Sequence, residues 1–174
     1  MISGSCSPAT GAQIAAAARG GFAEVALDPL KLIEEGRAGS YARATIERIV
    51  EALDAGRDVV AHSSSGQSDP REAMVIDHFG HRGFSGEAGS IQSGRALASA
   101  AGGLLDSMLK LVPLDRFVVA GCDTSTAAVK QLGIDAVEMV APLFPGAPLC
   151  RALAPGHDLH GRELVLKGGQ MGGT

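Results

Sequence analysis

The stretch Phe117-Val118-Val119-Ala120-Gly121-Cys122-Asp123-Thr124-Ser125 decides how the rest of this chain is read. Its first four residues form an apolar, partly β-branched run of the kind that makes a buried strand. Glycine breaks the run, and Cys122-Asp123-Thr124-Ser125 supplies the small polar residues that open helices. The helical reading then covers Thr124 to Leu132 and stops at Gly133. A buried strand that turns through glycine into a helix is the unit of a parallel, helix-covered sheet.

The same alternation recurs on both sides. Upstream, Met1-Ile2 reads as the end of a strand and Ser3-Gly4-Ser5-Cys6-Ser7 as the turn after it. Pro8 suits the first turn of a helix, where its missing N–H costs nothing. Ala9 to Arg19 is that helix, halted by Gly20-Gly21, and Phe22 to Leu27 is a strand ended by Asp28-Pro29. Ser40 to Ala55 is the clearest amphipathic helix, with Ile46, Ile49, Val50 and Leu53 at helical spacing and Gly56 closing it. Asp58 to His62 follows as a short apolar strand that opens into the polar loop Ser63 to Pro70. A long helix spans about Ser90 to Leu111, although Gly94, Gly102 and Gly103 weaken its propensity. Downstream, Asp135 to Ala141, Pro148 to Leu153 and Glu163 to Lys167 are strand-like, the first two separated only by a turn. These elements predict one α/β domain over residues 1–174. Its architecture is a three-layer α/β/α sandwich with a mostly parallel sheet and an antiparallel edge.

Composition narrows the function classes. Net charge is −4 with Lys and Arg dispersed, so no basic stripe suits nucleic acid or an anionic membrane. The single tyrosine and absent tryptophan argue against a base-stacking surface for single strands. No run reaches the roughly 18 apolar residues of a membrane helix, and no leader pattern is visible. Three cysteines without CxxC spacing read as reduced thiols. A cytoplasmic protein is the expectation, and a homo-oligomer is compatible with it. Glycine, at 24 of 174 residues, is about twice its usual share, which points to tight turns or close backbone approaches.

Three strand ends open into small polar turns: Ser3 to Ser7, Ser63 to Gly66, and Gly121 to Ser125. In an open α/β sheet, ligands bind outside the carboxyl ends of strands. A turn entering a helix presents unpaired N–H groups and the positive end of the helix dipole, which suits phosphate. Convergence of the three turns on one rim would make an anion site, although each alone is better read as a structural helix cap. Lys167-Gly168-Gly169-Gln170-Met171-Gly172-Gly173 adds a lysine at a strand end, placed to set an ammonium on a phosphate. Neither GxxxxGK[ST] nor a GxGxxG after a strand occurs. His78 and His81, with Asp77 beside them, have metal-ligand spacing, but glycines at 80 and 83 favour a solvated loop and no metal site. His62 is expected to be a satisfied core histidine, and His157 and His160 to sit in a turn without a role. Cys6 and Cys122 fall at helix starts, where thiol pKa values drop, so both are expected to be reactive. No side chain is identified as a catalytic base or nucleophile.

Taken in order, several segments resemble the nucleotide-binding domain of the four-carbon acid sugar kinase family. They are Ser3-Gly4-Ser5-Cys6-Ser7 with Gln13-Ile14, Val118 to Ser125, Leu132-Gly133-Ile134, Pro145-Gly146-Ala147-Pro148-Leu149, and Leu166-Lys167-Gly168-Gly169-Gln170-Met171-Gly172. Cys122 stands where that family usually has glycine, and residues 66–89 match it least. The resemblance implies a two-domain phosphotransferase acting on an alcohol group of threonate- or erythronate-like acids. An N-terminal domain, absent from this chain, would hold the sugar, and this domain would hold ATP with Mg²⁺. By itself the chain would then be inactive. Nucleotide contacts are implied at Ser5, Ser7, Gly121, Cys122, Asp123, Thr124, Ser125, Gly146, Lys167 and Gly169. The alternative reading of the same rim is a non-catalytic anion or sugar-phosphate binding module.

Overall fold

A computed structural model describes residues 1–36 and 39–173. Their elements run β1 (Ile2–Ser3), α1 (Pro8–Arg19), β2 (Ala23–Ala26), α2 (Pro29–Glu35), α3 (Ser40–Asp54), β3 (Val59–His62), α4 (Pro70–His81), α5 (Gly86–Leu111), β4 (Arg116–Ala120), α6 (Cys122–Gln131), β5 (Ala136–Phe144), β6 (Ala147–Leu153) and β7 (Glu163–Lys167). The strands form one sheet in the order β2-β3-β1-β4-β7-β6-β5. The first five in that order are parallel, and β6 and β5 continue the sheet antiparallel at one edge.

Layering follows from connection handedness. The step from β1 to β2 runs one way across the sheet, while those from β2 to β3 and β3 to β4 run the other way. Right-handed crossovers therefore put α1 on one face and α3 and α5 on the opposite one. Strand residues alternate accordingly. Val25, Val59, Ala61, Phe117, Val119 and Leu164 join the helices of the thicker side in the main core. Val165, Leu149 and Ala147 form a small cluster on the other face, with Val118 and Ala141 beside it. The three-layer, mostly parallel architecture with an antiparallel edge is thus the one the alternation predicts.

Local capping fixes where the helices begin. Ser7 Oγ and the Asp28 and Asp69 carboxylates accept from first-turn amides of α1, α2 and α4, each followed by proline in the first turn. Residues 70–81 correct the loop expectation. With Asp69 as cap, Val75 and Phe79 bury one face, and α4 packs on α5. Gly94, Gly102 and Gly103 do not interrupt α5 either. A Cβ at position 102 would lie 3.2 Å from the Ala128 backbone nitrogen, so that glycine lets α6 pack close.

Candidate functional site

Because β1, β4 and β7 are neighbours and parallel, the turns leaving all three emerge on one rim. Two hydrogen bonds extend the ladder into them: Gly4 N–H donates to Ala120 O (3.1 Å) and Gly121 N–H to Lys167 O (2.9 Å). The turns then meet through side-chain hydroxyls set against glycines. A Cβ on Gly4 would lie 2.2 Å from Thr124 Oγ1, and one on Gly169 would lie 2.5 Å from Ser5 Oγ. A methyl group at either position would have to push a hydroxyl aside.

Above the turns lies a cleft of about 510 Å³. Its polar floor comes from Gly4 to Ser7, Gly121 to Thr124 and Gly168 to Met171. Its opposite wall is apolar, built by Val75 and Ile76 of α4 with Leu97 and Ala98 of α5, and edged by Glu72, Ser90, Ser93 and Gly94. At the floor, α6 starts on Gly121 with no side chain capping its first turn. Such an end presents N–H donors and a positive partial charge. By contrast, Ser7 Oγ caps α1 by accepting from Thr10 N–H (3.1 Å).

Ser5, Ser7, Gly121, Cys122, Asp123, Thr124 and Gly169 therefore line one cavity. The other three sites named from the sequence stand apart from its lining. Ser125 Oγ turns back to Val119 O (3.4 Å). Gly146 sits in the β5–β6 turn, where a Cβ would lie 2.9 Å from Sδ of the cleft residue Met171. Lys167 is only 7% exposed and donates to Thr10 Oγ1 and Gly168 O (3.0 Å each) and to Gly169 O (3.3 Å).

The turn after β3 corrects the expected convergence. It shares the rim but closes on itself: Ser64 Oγ donates to Gly66 O (2.9 Å), and Ser65 donates through N–H and Oγ to Asp69 Oδ2 (2.7 and 2.8 Å). Arg71 draws this turn away from the cleft. Its guanidinium bonds the Asp69 carboxylate, Leu27 O, His62 O and His62 Nδ1. The Arg71 hydrogen bond, helped by Ser65, holds the Asp69 carboxyl well below the usual carboxylate range. His62, fully buried, meets Glu24 through Nε2 (2.9 Å) and is the satisfied core histidine expected.

Cys6 corrects the reactive-thiol expectation. Burial, reinforced by the Glu72 carboxylate, pushes its pKa up to about 11, so it stays a protonated thiol at neutral pH. The histidines of α4 do not share a ligand either: His81 Nε2 lies 3.3 Å from Asp77, and His78 Nδ1 3.6 Å from Glu34. Among the described residues no cluster has metal-ligand geometry. His157 and His160 accept backbone N–H groups of Leu159 and Ala154 within their turn.

The α4–α5 wall is the half of the cleft that sequence reasoning missed. Asp69-Pro70 followed by Val75 and Phe79 at an i, i+4 spacing was the available signal, diluted by Gly80, Gly83 and Gly86.

Comparison with known proteins places the chain in a family. The family model described as the nucleotide-binding C-terminal domain matches residues 1–174. A 3-oxo-isoapionate kinase of Paraburkholderia graminis is 42% identical over 171 residues, covering 98% of this chain and 36% of the kinase. A 3-oxo-tetronate kinase of Cupriavidus necator is 31% identical over 177 residues, covering 99% and 35%. The chain thus spans about a third of the length of these relatives. A solved Haemophilus influenzae protein of a family of unknown function has the same fold. Its TM-score is 0.70 at 23% identity, over 99% of this chain and 37% of that one. Among the described residues no helix is long and apolar enough to cross a membrane.

Proposed function

The chain belongs to the nucleotide-binding C-terminal domain family, and from that premise we propose that its cleft holds ATP for a kinase of small acid sugars. The acceptor class is that of four-carbon acids such as threonate or erythronate and their 3-oxo relatives, in keeping with the kinases it resembles. The observation that carries the reading is the meeting of three strand-end turns at positions where a Cβ would collide, beside an uncapped helix start. Bare backbone there can come within hydrogen-bond distance of phosphate oxygens, and the α4–α5 wall offers an apolar surface to a base.

Bound ATP would supply the transferable phosphoryl group, its negative charge offset in large part by Mg²⁺. The first-turn amides of α6 and the hydroxyls of Ser5 and Thr124 would hold phosphate oxygens. Asp123, in the first turn of α6, is the carboxylate of that turn and would face the accompanying magnesium. Phosphoryl transfer depends chiefly on positioning and charge stabilisation, so a floor of amides and hydroxyls suffices for this half of the task. The acid sugar and the group that activates its hydroxyl would be held by the remaining two thirds of a relative-length chain.

Calorimetric titration with ATP–Mg²⁺ should give saturable binding, weakened tenfold or more by Thr124→Val or Gly169→Ala, with no turnover by the chain alone. Absence of any adenine-nucleotide binding, in this chain and in a relative-length protein carrying it, overturns the reading.

A further inference from the structure

The floor of the cleft includes a tight turn whose supports lie outside the cleft. Met171 N–H donates to Gly168 O (3.1 Å), leaving Gly169 and Gln170 as the central residues. Lys167 reaches back beneath this turn, its Nζ on Gly168 O (3.0 Å) and Gly169 O (3.3 Å). Thr10, fully buried in α1, accepts from the same ammonium (3.0 Å) and donates its hydroxyl to Gly169 O (2.8 Å). Ser7 Oγ donates to that oxygen as well. One helical turn on, Gln13 Nε2 donates to Met171 O (3.1 Å) and Gly173 O (3.0 Å).

Two features of this arrangement are unusual for a merely structural lysine. Among the described residues no carboxylate pairs with Lys167, and burial lowers its pKa from the ordinary lysine value. A buried cation compensated only by neutral oxygens is electrostatically incomplete until an anion comes near. The second feature is the direction of the peptide planes. All peptide bonds here are trans, so the C=O and N–H of one plane point opposite ways. Drawing Gly168 O and Gly169 O down onto the ammonium turns the N–H groups of Gly169 and Gln170 away from it. Both residues line the cleft. Neither amide donates to a protein acceptor among the described residues.

We propose that Lys167 and Thr10 are positioning residues that hold the Gly169 and Gln170 amides as a two-donor site for a polyphosphate oxygen. The lysine charge then acts on the anion through two polarised peptide units rather than by direct contact. This deepens the nucleotide reading and rests on it, since the phosphate chain of ATP is the ligand such a site would serve.

The test is an amide-resolved NMR titration of the ¹⁵N-labelled chain with inorganic tripolyphosphate. The Gly169 and Gln170 resonances should move on saturation. Thr10→Val should weaken tripolyphosphate tenfold or more and suppress both shifts, Thr10→Ser should restore them, and Lys167→Met should behave like Thr10→Val. A lysine that touched the anion directly would be released by Thr10→Val, so unchanged or tighter binding in that variant overturns the proposal. Absence of binding, or binding that leaves the two resonances still, overturns it in the unmodified chain, whatever the folding of the variants. Tripolyphosphate binding on these amides without any binding of ATP would remove the kinase reading and leave the anion site standing.

Discussion

Cys6 and Cys122 line the same cleft in different environments, though alike in sequence. Cys6 is half-buried beside Glu72 and held protonated, whereas Cys122 is exposed at the uncapped start of α6. Because the thiolate is the reactive form, alkylation at pH 8 should label Cys122 readily and Cys6 slowly. Saturating ATP–Mg²⁺ should protect Cys122 at least severalfold, measured by mass spectrometry of iodoacetamide-treated peptides. Equal labelling with and without nucleotide would speak against a phosphate site at the α6 start. The glycines beside these thiols carry information of the same grain. Gly4 and Gly169 are identifiable in the sequence as turn residues. What each of them touches, Thr124 in one case and Ser5 in the other, comes from positions 120 and 164 residues away.

Among the elements, the β3–α4 turn shows how far composition alone can lead. Ser63 to Gly66 and Ser3 to Ser7 are nearly interchangeable as strings of small polar residues, yet only the second opens into the cleft. The difference is made by Arg71, in the first turn of α4, whose guanidinium ties Asp69 to the carbonyl ends of β2 and β3. No local signal encodes that reach. The strands and helices α1 and α3 were legible because runs of Val, Ile and Ala, helical spacing of apolar residues and the Ser7-Pro8 start act within a few residues. By contrast, the Asp28-Pro29 start of α2 reads only as the end of a strand. Helix α4 was not legible, because glycines interrupt its periodicity and its stability comes from packing on α5. Breaking the Arg71 network should cost about 3 kcal/mol at pH 7 for Asp69→Asn, seen as a lower urea midpoint. Asp69 has a depressed folded pKa, so its contribution is complete above the ordinary carboxylate value near 4 and fades as pH falls below it. The gap between the parent and Asp69→Asn should therefore narrow in urea melts at pH 3.

For the molecule as a whole, the sheet order is what turns scattered motifs into a site. Strand β1 lies between β3 and β4, and β7 lies beside β4, so turns at the two ends of the chain become neighbours on one rim. A ligand bridging those turns joins parts that unfolding would separate. At a hundredfold excess over its Kd, ATP–Mg²⁺ should add about 2.7 kcal/mol to stability. For a domain of this size that is a rise of roughly 5–10 °C in Tm by scanning calorimetry. An unchanged Tm at saturating nucleotide would mean that the cleft is not its site.

The placement of β1 also sets a schedule. Within this domain Ile2 and Ser3 are made before one of their two neighbours, Val119-Ala120, by more than a hundred residues, and before Lys167 by still more. At about 5–20 residues per second, the opening strand waits several seconds with one edge unpaired. The Gly168–Gly173 segment is the final piece of the floor to emerge, so the floor is complete only once every strand of the sheet has been made. Nucleotide would then act as a late lock on a finished fold, and it offers no help to the half-made chain that precedes it.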